Sequence, residues 1–214
     1  MRRATKAVWN ELLPYSPVFT TGEVVDVTGM APSNVSRDLA KLETDGMVTR
    51  IKRGLWAVTR HPNFSPFALV PYLFAHGQKG YVSLLTALNL HGMIEQIPRS
   101  IQIAATTQRP RLKTPVATFE FHQVQKELFG GFEPYSRAAD FDVAVPEKAL
   151  FDVIYLSVRK GRRYAYLPEV VLPSEFSRAR IEQWISKITH PPLRLAVVDR
   201  LESILATADA RSVA

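Results

Sequence analysis

Residues 20–58 decide the fold of the N-terminal part of the chain and read TTGEVVDVTGMAPSNVSRDLAKLETDGMVTRIKRGLWAV. Thr20 and Glu23 have the spacing of a capping box, in which the threonine hydroxyl accepts from an early helix amide and the glutamate reaches back to the cap. Gly29 is expected to end this helix, because glycine adopts a left-handed backbone at little cost, and Pro32 suits the first position of the next helix. Two short helices joined by a tight turn are typical of a helix-turn-helix.

The helix that begins at Pro32 is predicted to have one buried and one exposed side. At about 100° per residue, Val35, Leu39 and Leu42 fall on the buried side. The other side carries or borders short polar and basic side chains: Ser33, Asn34, Ser36, Arg37 and Lys41. Such a face can approach base edges, and an arginine can contact guanine or hold a phosphate. The alternative is an ordinary solvated helix face.

A hairpin is predicted directly after this helix. Residues 48–51 and 55–58 have strand composition, and the intervening residues 52–54 end in glycine. Residues 47–59 include Arg50, Lys52 and Arg53 and no acidic residue, which is the polarity of a phosphate-contacting wing. Trp56 is expected to pack beneath the hairpin rather than to touch a base.

The composition divides the chain into two parts and excludes some classes of protein. The 214 residues carry a formal net charge of +7 and no cysteine, which excludes disulfides, thiolate metal sites and cysteine nucleophiles. Nine of the 27 basic and six of the 20 acidic residues precede residue 61, so both parts are basic. A proline-rich stretch at 61–66 predicts a boundary, with domains at 1–62 and 63–214. Strands predicted at 101–106, 117–122 and 141–145, with helices after Pro146, indicate an α+β fold.

Neither a signal peptide nor a membrane-spanning run is apparent. The longest apolar run, residues 67–75, contains a proline and is far shorter than the roughly 20 residues that a transmembrane helix needs. We therefore expect a cytoplasmic protein without membrane association.

Two helices of the second domain are predicted to be largely buried. Residues 83–90 are apolar on nearly all sides, with Gly92 as the stop. His91, at the C-terminal end, is expected to cap or pack rather than to catalyse. The helix from Pro146 places Glu147 in its positive first turn. Its predicted buried stripe consists of Leu150, Val153, Ile154 and Val158.

The chain resembles the AbiEi-type antitoxins, the transcriptional regulators of type IV toxin-antitoxin systems. The resemblance is carried by VSRDLAKL at 35–42, RGLW at 53–56, YVSLLTALNLHG at 81–92 and VPEKALFD at 145–152. It covers most of residues 5–160, and the two stretches in the second domain are its more specific part.

This resemblance implies a winged helix-turn-helix domain followed by a mixed α/β antitoxin and oligomerisation domain. The expected function is a DNA-binding autorepressor that neutralises a nucleotidyltransferase-like toxin in an abortive infection system. Its partners would be double-stranded DNA, as an inverted-repeat operator read by two copies, and the toxin. No catalytic residue, metal or cofactor is expected.

Two other functions stay open at this stage. A metal-dependent nucleic-acid enzyme would draw on Asp140, Asp142, Glu147 and Lys148. However, Glu147 and Lys148 are adjacent on a helix and point about 100° apart, and the five histidines show no pair at ligand spacing. A ligand-sensing regulator without a toxin would use the helix at 83–90 to line an effector pocket.

Two basic clusters in the second domain remain. They are Arg109, Arg111 and Lys113, and Arg159, Lys160, Arg162 and Arg163. Charge runs of this kind are often solvated surface. The functional alternative is an electropositive surface that meets DNA backbone or an acidic partner.

Overall fold

The computed structural model describes residues 3–74, 77–135, 141–159, 164 and 167–212. The chain forms two compact units, Met1–Ala75 with Lys113–Ala117 and His76–Leu112 with Thr118–Ala214. The expected boundary at 62/63 therefore needs correction, because a 3₁₀-helical segment, Pro66–Leu73, belongs to the first unit. Tyr72 anchors this segment to β1, because its hydroxyl donates to the carbonyl of Val18, the first residue of that strand (Val18–Thr20), at 3.3 Å.

The first unit has the predicted order of helix, turn, helix and hairpin. Its elements are α1 (Arg3–Ala7), continued by a wider helical turn at Val8–Leu12, β1 (Val18–Thr20), α2 (Thr21–Thr28), α3 (Pro32–Thr44), β2 (Thr49–Lys52) and β3 (Leu55–Ala57). The three strands form an antiparallel sheet in the order β1-β3-β2. Strand β1 was not predicted from the sequence, and its pairing with β3 makes the hairpin part of a sheet.

Local signals set the two ends of α2 and the start of α3 as expected. The Thr20 hydroxyl accepts from the amide of Glu23 at 3.1 Å, and the Glu23 carboxylate accepts from the amide of Thr20 at 2.5 Å, which completes the capping box. Gly29 ends α2 with φ +64°, and Pro32 opens α3. Val24 of α2 is buried, whereas the side chain of Val27 is 39% exposed.

The core of the first unit lies between these helices and the sheet. Val35, Leu39 and Leu42 of α3 are buried in it, as predicted. The core also includes Val24 and Trp56, together with the following buried residues of the other elements: Ala4, Ala7, Val8, Phe19, Val48 and Val58. The outer face of α3 is thereby fixed toward solvent.

The second unit is built on a six-stranded mixed sheet, and the whole chain is an α+β protein. The strands are β4 (Gly80–Val82), β5 (Ile101–Ala105), β6 (Leu112–Lys113), β7 (Thr118–Gln123), β8 (Phe132–Pro134) and β9 (Asp142–Ala144). Their order is β6-β7-β5-β4-β9-β8. Strands β4/β9 and β5/β7 run parallel, whereas β4/β5 and β8/β9 run antiparallel. Every residue of β5 is buried, as expected of a central strand.

Four helices accompany this sheet: α4 (Leu84–Leu90), α5 (Pro146–Arg159), α6 (Arg178–Ser186) and α7 (Pro191–Ser212). Helix α4 packs on α5 and β5, and α5 also contacts α6 and α7. The predicted stripe on α5 was too narrow, because all residues from Glu147 to Ser157 are buried while Val158 is only half-buried. Because α4, α6 and α7 all contact α5, its polar residues Glu147, Lys148 and Asp152 are buried as well.

Candidate functional site

The outer face of α3 is solvent-exposed along its length. All five residues assigned to this face are exposed: Ser33, Asn34, Ser36, Arg37 and Lys41. The only acidic side chain within this span, Asp38, is half-buried on the flank. The face therefore combines hydroxyl, amide and cationic groups on one rigid helix, whose opposite side is anchored in the core.

Two of these residues are hydrogen-bonded to each other. Arg37 Nη2 donates to Asn34 Oδ1 at 3.1 Å, across one turn of α3. Such a bond reduces the rotamer freedom of two exposed side chains before any ligand arrives.

The hairpin after α3 holds its tryptophan inward and its arginines outward. The indole N–H of Trp56 donates to the hydroxyl of Thr21 at 2.9 Å, and the side chain is buried, as predicted. Across the strand pair, the exposed Arg50 lies with its guanidinium 5.5 Å from the centroid of the Trp56 ring. Arg53 is exposed in the turn, where Gly54 adopts φ +79°.

Lys52 differs from its two basic neighbours. It is half-buried, and its ammonium donates to the backbone carbonyl of Tyr72 at 2.9 Å. This contact links the hairpin to the 3₁₀-helical segment, so Lys52 has an intramolecular role that the sequence did not suggest. Its partner lies 20 residues away along the chain.

Three of the four described residues in the other two basic clusters contact neighbouring side chains. Arg111 is paired with Glu120 at 3.4 Å, and the guanidinium of Arg109 lies 5.3 Å from the centroid of the Phe121 ring. Lys113 is exposed on β6, and Arg159 lies over the ring of Tyr155 at 5.8 Å. Lys160, Arg162 and Arg163 lie outside the described residues. Each of the three described arginines therefore has a local side-chain contact.

A buried polar cluster lies between β4 and α5. Lys148 and Asp152, one helical turn apart, form an ion pair with both side chains fully buried. Asp152 also accepts from the hydroxyls of Ser83 at 2.7 Å and Tyr81 at 3.1 Å. From the sequence, Lys148 was considered only as an enzyme candidate beside Glu147, and Asp152 was not singled out. The signal available was their four-residue spacing on an otherwise apolar helix.

Aromatic rings enclose this ion pair. The Lys148 ammonium lies 4.9 Å from the ring centroid of Trp184, 5.1 Å from that of Phe151 and 5.5 Å from that of Tyr81. Burial lowers the pKa of Lys148, and the Asp152 carboxylate opposes that shift. Burial and the same carboxylate raise the pKa of Tyr81 well above its ordinary value. The Tyr81 hydroxyl therefore stays a donor to Asp152.

Glu147 is buried at the start of α5 and holds the segment that enters α6. Its Oε1 accepts from the amide of Ser177 at 2.8 Å and lies 3.5 Å from a guanidinium nitrogen of Arg180. With Glu147 and Lys148 both in the interior, neither presents its charged group to a solvent-borne substrate.

Two further residues, Asp142 and Asp140, were considered for an enzyme. Asp142 is half-buried on β9, and Asp140 lies outside the described residues. Within the described ranges, no group of three or more histidine, aspartate or glutamate side chains is arranged to hold a metal ion. A membrane-spanning helix is likewise not found in the part of the chain that the structure describes.

His91 and a neighbouring cavity mark the C-terminal end of α4. His91 Nε2 lies 2.7 Å from the carbonyl oxygen of Ala144, consistent with the packing role predicted for it. A cavity of about 430 Å³ is lined, among the described residues, by Gly92, Ile94, Glu95, Gln96, Pro168, Glu169 and Val171. None of these lining residues belongs to α4, so this cavity does not correspond to the expected effector pocket.

Comparison with known proteins gives a structural likeness. The chain is similar to the RV2827C protein from Mycobacterium tuberculosis, with a TM-score of 0.61 at 14% sequence identity, over 96% of this chain and 77% of that one. At this identity, the likeness shows a shared fold and no more. No protein-family model matches the chain. No curated protein matches it either.

Proposed function

We propose that this protein is a DNA-binding transcriptional autorepressor and the antitoxin of a toxin-antitoxin system. In this proposal α2, α3 and the hairpin act as a winged helix-turn-helix, with α3 in the major groove and the hairpin against the phosphate backbone. Two copies would read an inverted repeat. The toxin, by the resemblance to AbiEi-type antitoxins, would be a nucleotidyltransferase-like protein.

The exposed face of α3 is the observation that supports the DNA-binding part of the proposal. A surface helix needs no particular residue types, but a reading helix needs short polar groups and cations near its N-terminal half. Ser33, Asn34 and Arg37 supply them, while the buried side of α3 anchors the helix in the core. The exposed Arg50 and Arg53 on the adjoining hairpin add positive charge for phosphates.

The antitoxin half rests on the resemblance, which is strongest in residues 81–92 and 145–152. In the structure these stretches contain Tyr81, Ser83, Lys148 and Asp152, the members of the buried polar cluster. We infer that the shared pattern in these stretches maintains the interior of the second domain. The surface that counteracts the toxin would then be built by other residues on this frame.

Two experiments test the two halves separately. Gel-shift binding to the DNA upstream of the protein's own gene, against shuffled DNA of equal length, tests the repressor half. Equal affinity for both duplexes would contradict it. Co-expression with the gene adjacent to the protein's own, which the proposal expects to encode a nucleotidyltransferase-like toxin, tests the antitoxin part of the proposal, with growth as the readout. Growth arrest that this protein does not relieve would contradict that half alone.

Loss of Arg53, one of the two exposed arginines of the hairpin, is expected to weaken binding to every DNA sequence. Arg53→Ala removes one phosphate contact, so the slope of log K against log salt should flatten by roughly one unit on both operator and random duplexes. Fluorescence anisotropy over a series of salt concentrations measures this slope.

Lys52→Met provides the matched control for Arg53→Ala. The methionine keeps most of the side-chain stem but cannot donate to the carbonyl of Tyr72. We expect this variant to unfold more easily, by about 1 to 3 kcal/mol, while its salt slope stays near that of the wild type. A larger change of slope for Lys52→Met than for Arg53→Ala would reverse the assignment.

A further inference from the structure

The hydrogen bond between Arg37 and Asn34 fixes the orientation of the asparagine amide. A guanidinium group has N–H donors and no acceptor, so the only atom of Asn34 that can face it is the carbonyl oxygen Oδ1. The observed contact, Nη2 to Oδ1 at 3.1 Å, has this arrangement. The amide nitrogen of Asn34 is therefore left free to donate.

This orientation changes what Asn34 can read. An unpaired asparagine reads adenine with both ends of its amide, since the oxygen accepts from N6 and the nitrogen donates to N7. Here the oxygen already accepts a charge-assisted bond and lies beside a cation. Oδ1 keeps a second lone pair. However, an amino group of adenine or cytosine that approaches this oxygen also approaches the guanidinium cation, and the two N–H donors repel each other.

The complementary base edge is that of guanine. In the major groove, guanine presents two acceptors, N7 and O6, and an arginine can donate to both at once. After its bond to Asn34, Arg37 keeps four of the five N–H donors of a guanidinium group for this purpose. Lys41, exposed one turn further along α3, adds positive charge and no acceptor.

We propose that Asn34 and Arg37 form one guanine-reading unit, in which Arg37 donates to N7 and O6 and its bond to Asn34 suppresses the adenine preference of that asparagine. This inference rests on the proposed DNA-binding function. It assigns Asn34 a role that its residue type alone would not predict.

Selection of binding sites from a random duplex library tests the unit. The wild type should enrich guanine at one position of each half-site, with a loss of about 5- to 150-fold in affinity when that base is replaced. Arg37→Ala frees Oδ1, so the enriched base at or beside that position should change from guanine to adenine. Asn34→Ala should keep guanine, and the double variant should show no preference there.

Lys41→Ala is the matched control, because it removes an exposed cation from the same helix without touching the pair. It should lower affinity for all duplexes and leave the enriched bases unchanged. A guanine preference that survives Arg37→Ala, or a wild type that enriches adenine at this position, would overturn the inference but not DNA binding. A wild type that enriches no sequence at all would overturn the proposed function as well.

Discussion

Replacing Asp152 with alanine is expected to lower the free energy of unfolding by about 3 to 5 kcal/mol. The substitution leaves the buried Lys148 ammonium without its counter-ion and the hydroxyls of Ser83 and Tyr81 without their acceptor. Removing one partner of a buried ion pair is more harmful than removing both, because the remaining charge stays desolvated. Urea denaturation at neutral pH measures the change.

The double variant Lys148→Met with Asp152→Leu separates the charge effect from the packing effect. It removes both charges and roughly keeps the side-chain volume, so it should be less destabilised than Asp152→Ala alone. Glu182→Ala, at an exposed position of α6, should change the stability by less than about 0.5 kcal/mol. If the free energy of unfolding of Asp152→Ala stays within about 1 kcal/mol of the wild-type value, the buried polar cluster does not stabilise the fold as proposed here.

Replacing Gly131 with alanine is expected to lower the free energy of unfolding by about 2 to 5 kcal/mol in total. A Cβ at this position would lie 2.6 Å from Trp184 Cζ2 and 3.1 Å from Lys148 Cγ. The backbone at Gly131 also has φ +68°, which any residue with a Cβ adopts at a cost. The indole would have to move away from the Lys148 ammonium that it covers.

Gly92→Ala is a matched control within the same unit. Its φ is +67°, but a Cβ there would have nothing within 4 Å. The substitution therefore has the cost of the left-handed backbone without a steric clash. We expect a loss of about 1 to 2 kcal/mol for Gly92→Ala. In a Trp184→Ala background, the effect of Gly131→Ala should fall to the level of Gly92→Ala. Equal effects of the two glycine substitutions in the wild-type background would contradict the proposed contact.

The two ends of α2, the start of α3 and the buried side of α3 could be predicted because their causes are local. The capping box joins residues three apart, and Gly29 and Pro32 act on their own backbone. The buried side of α3 follows from helical periodicity alone. The exposed face could therefore be named residue by residue before the structure, although its DNA-binding role stays a proposal.

The features that the sequence did not predict depend on partners that lie far away along the chain. Strand β1 depends on pairing with β3, and the first unit reaches past residue 62 because Tyr72 contacts Val18 across 54 residues. Such pairings leave no periodic pattern in a short window of sequence. They arise only when separate elements are brought together.

By itself, the sequence determined where α2 begins and ends, where α3 begins, which side of α3 is buried, and that the chain is α+β. Only the tertiary structure decided that Asp152 would accept from Ser83 and Tyr81, which precede it by 69 and 71 residues. It likewise decided that the ammonium of Lys52 would bond within the chain. The physical reason is that backbone propensity and periodicity act within a few residues, whereas the burial of a charge depends on which distant groups fold around it.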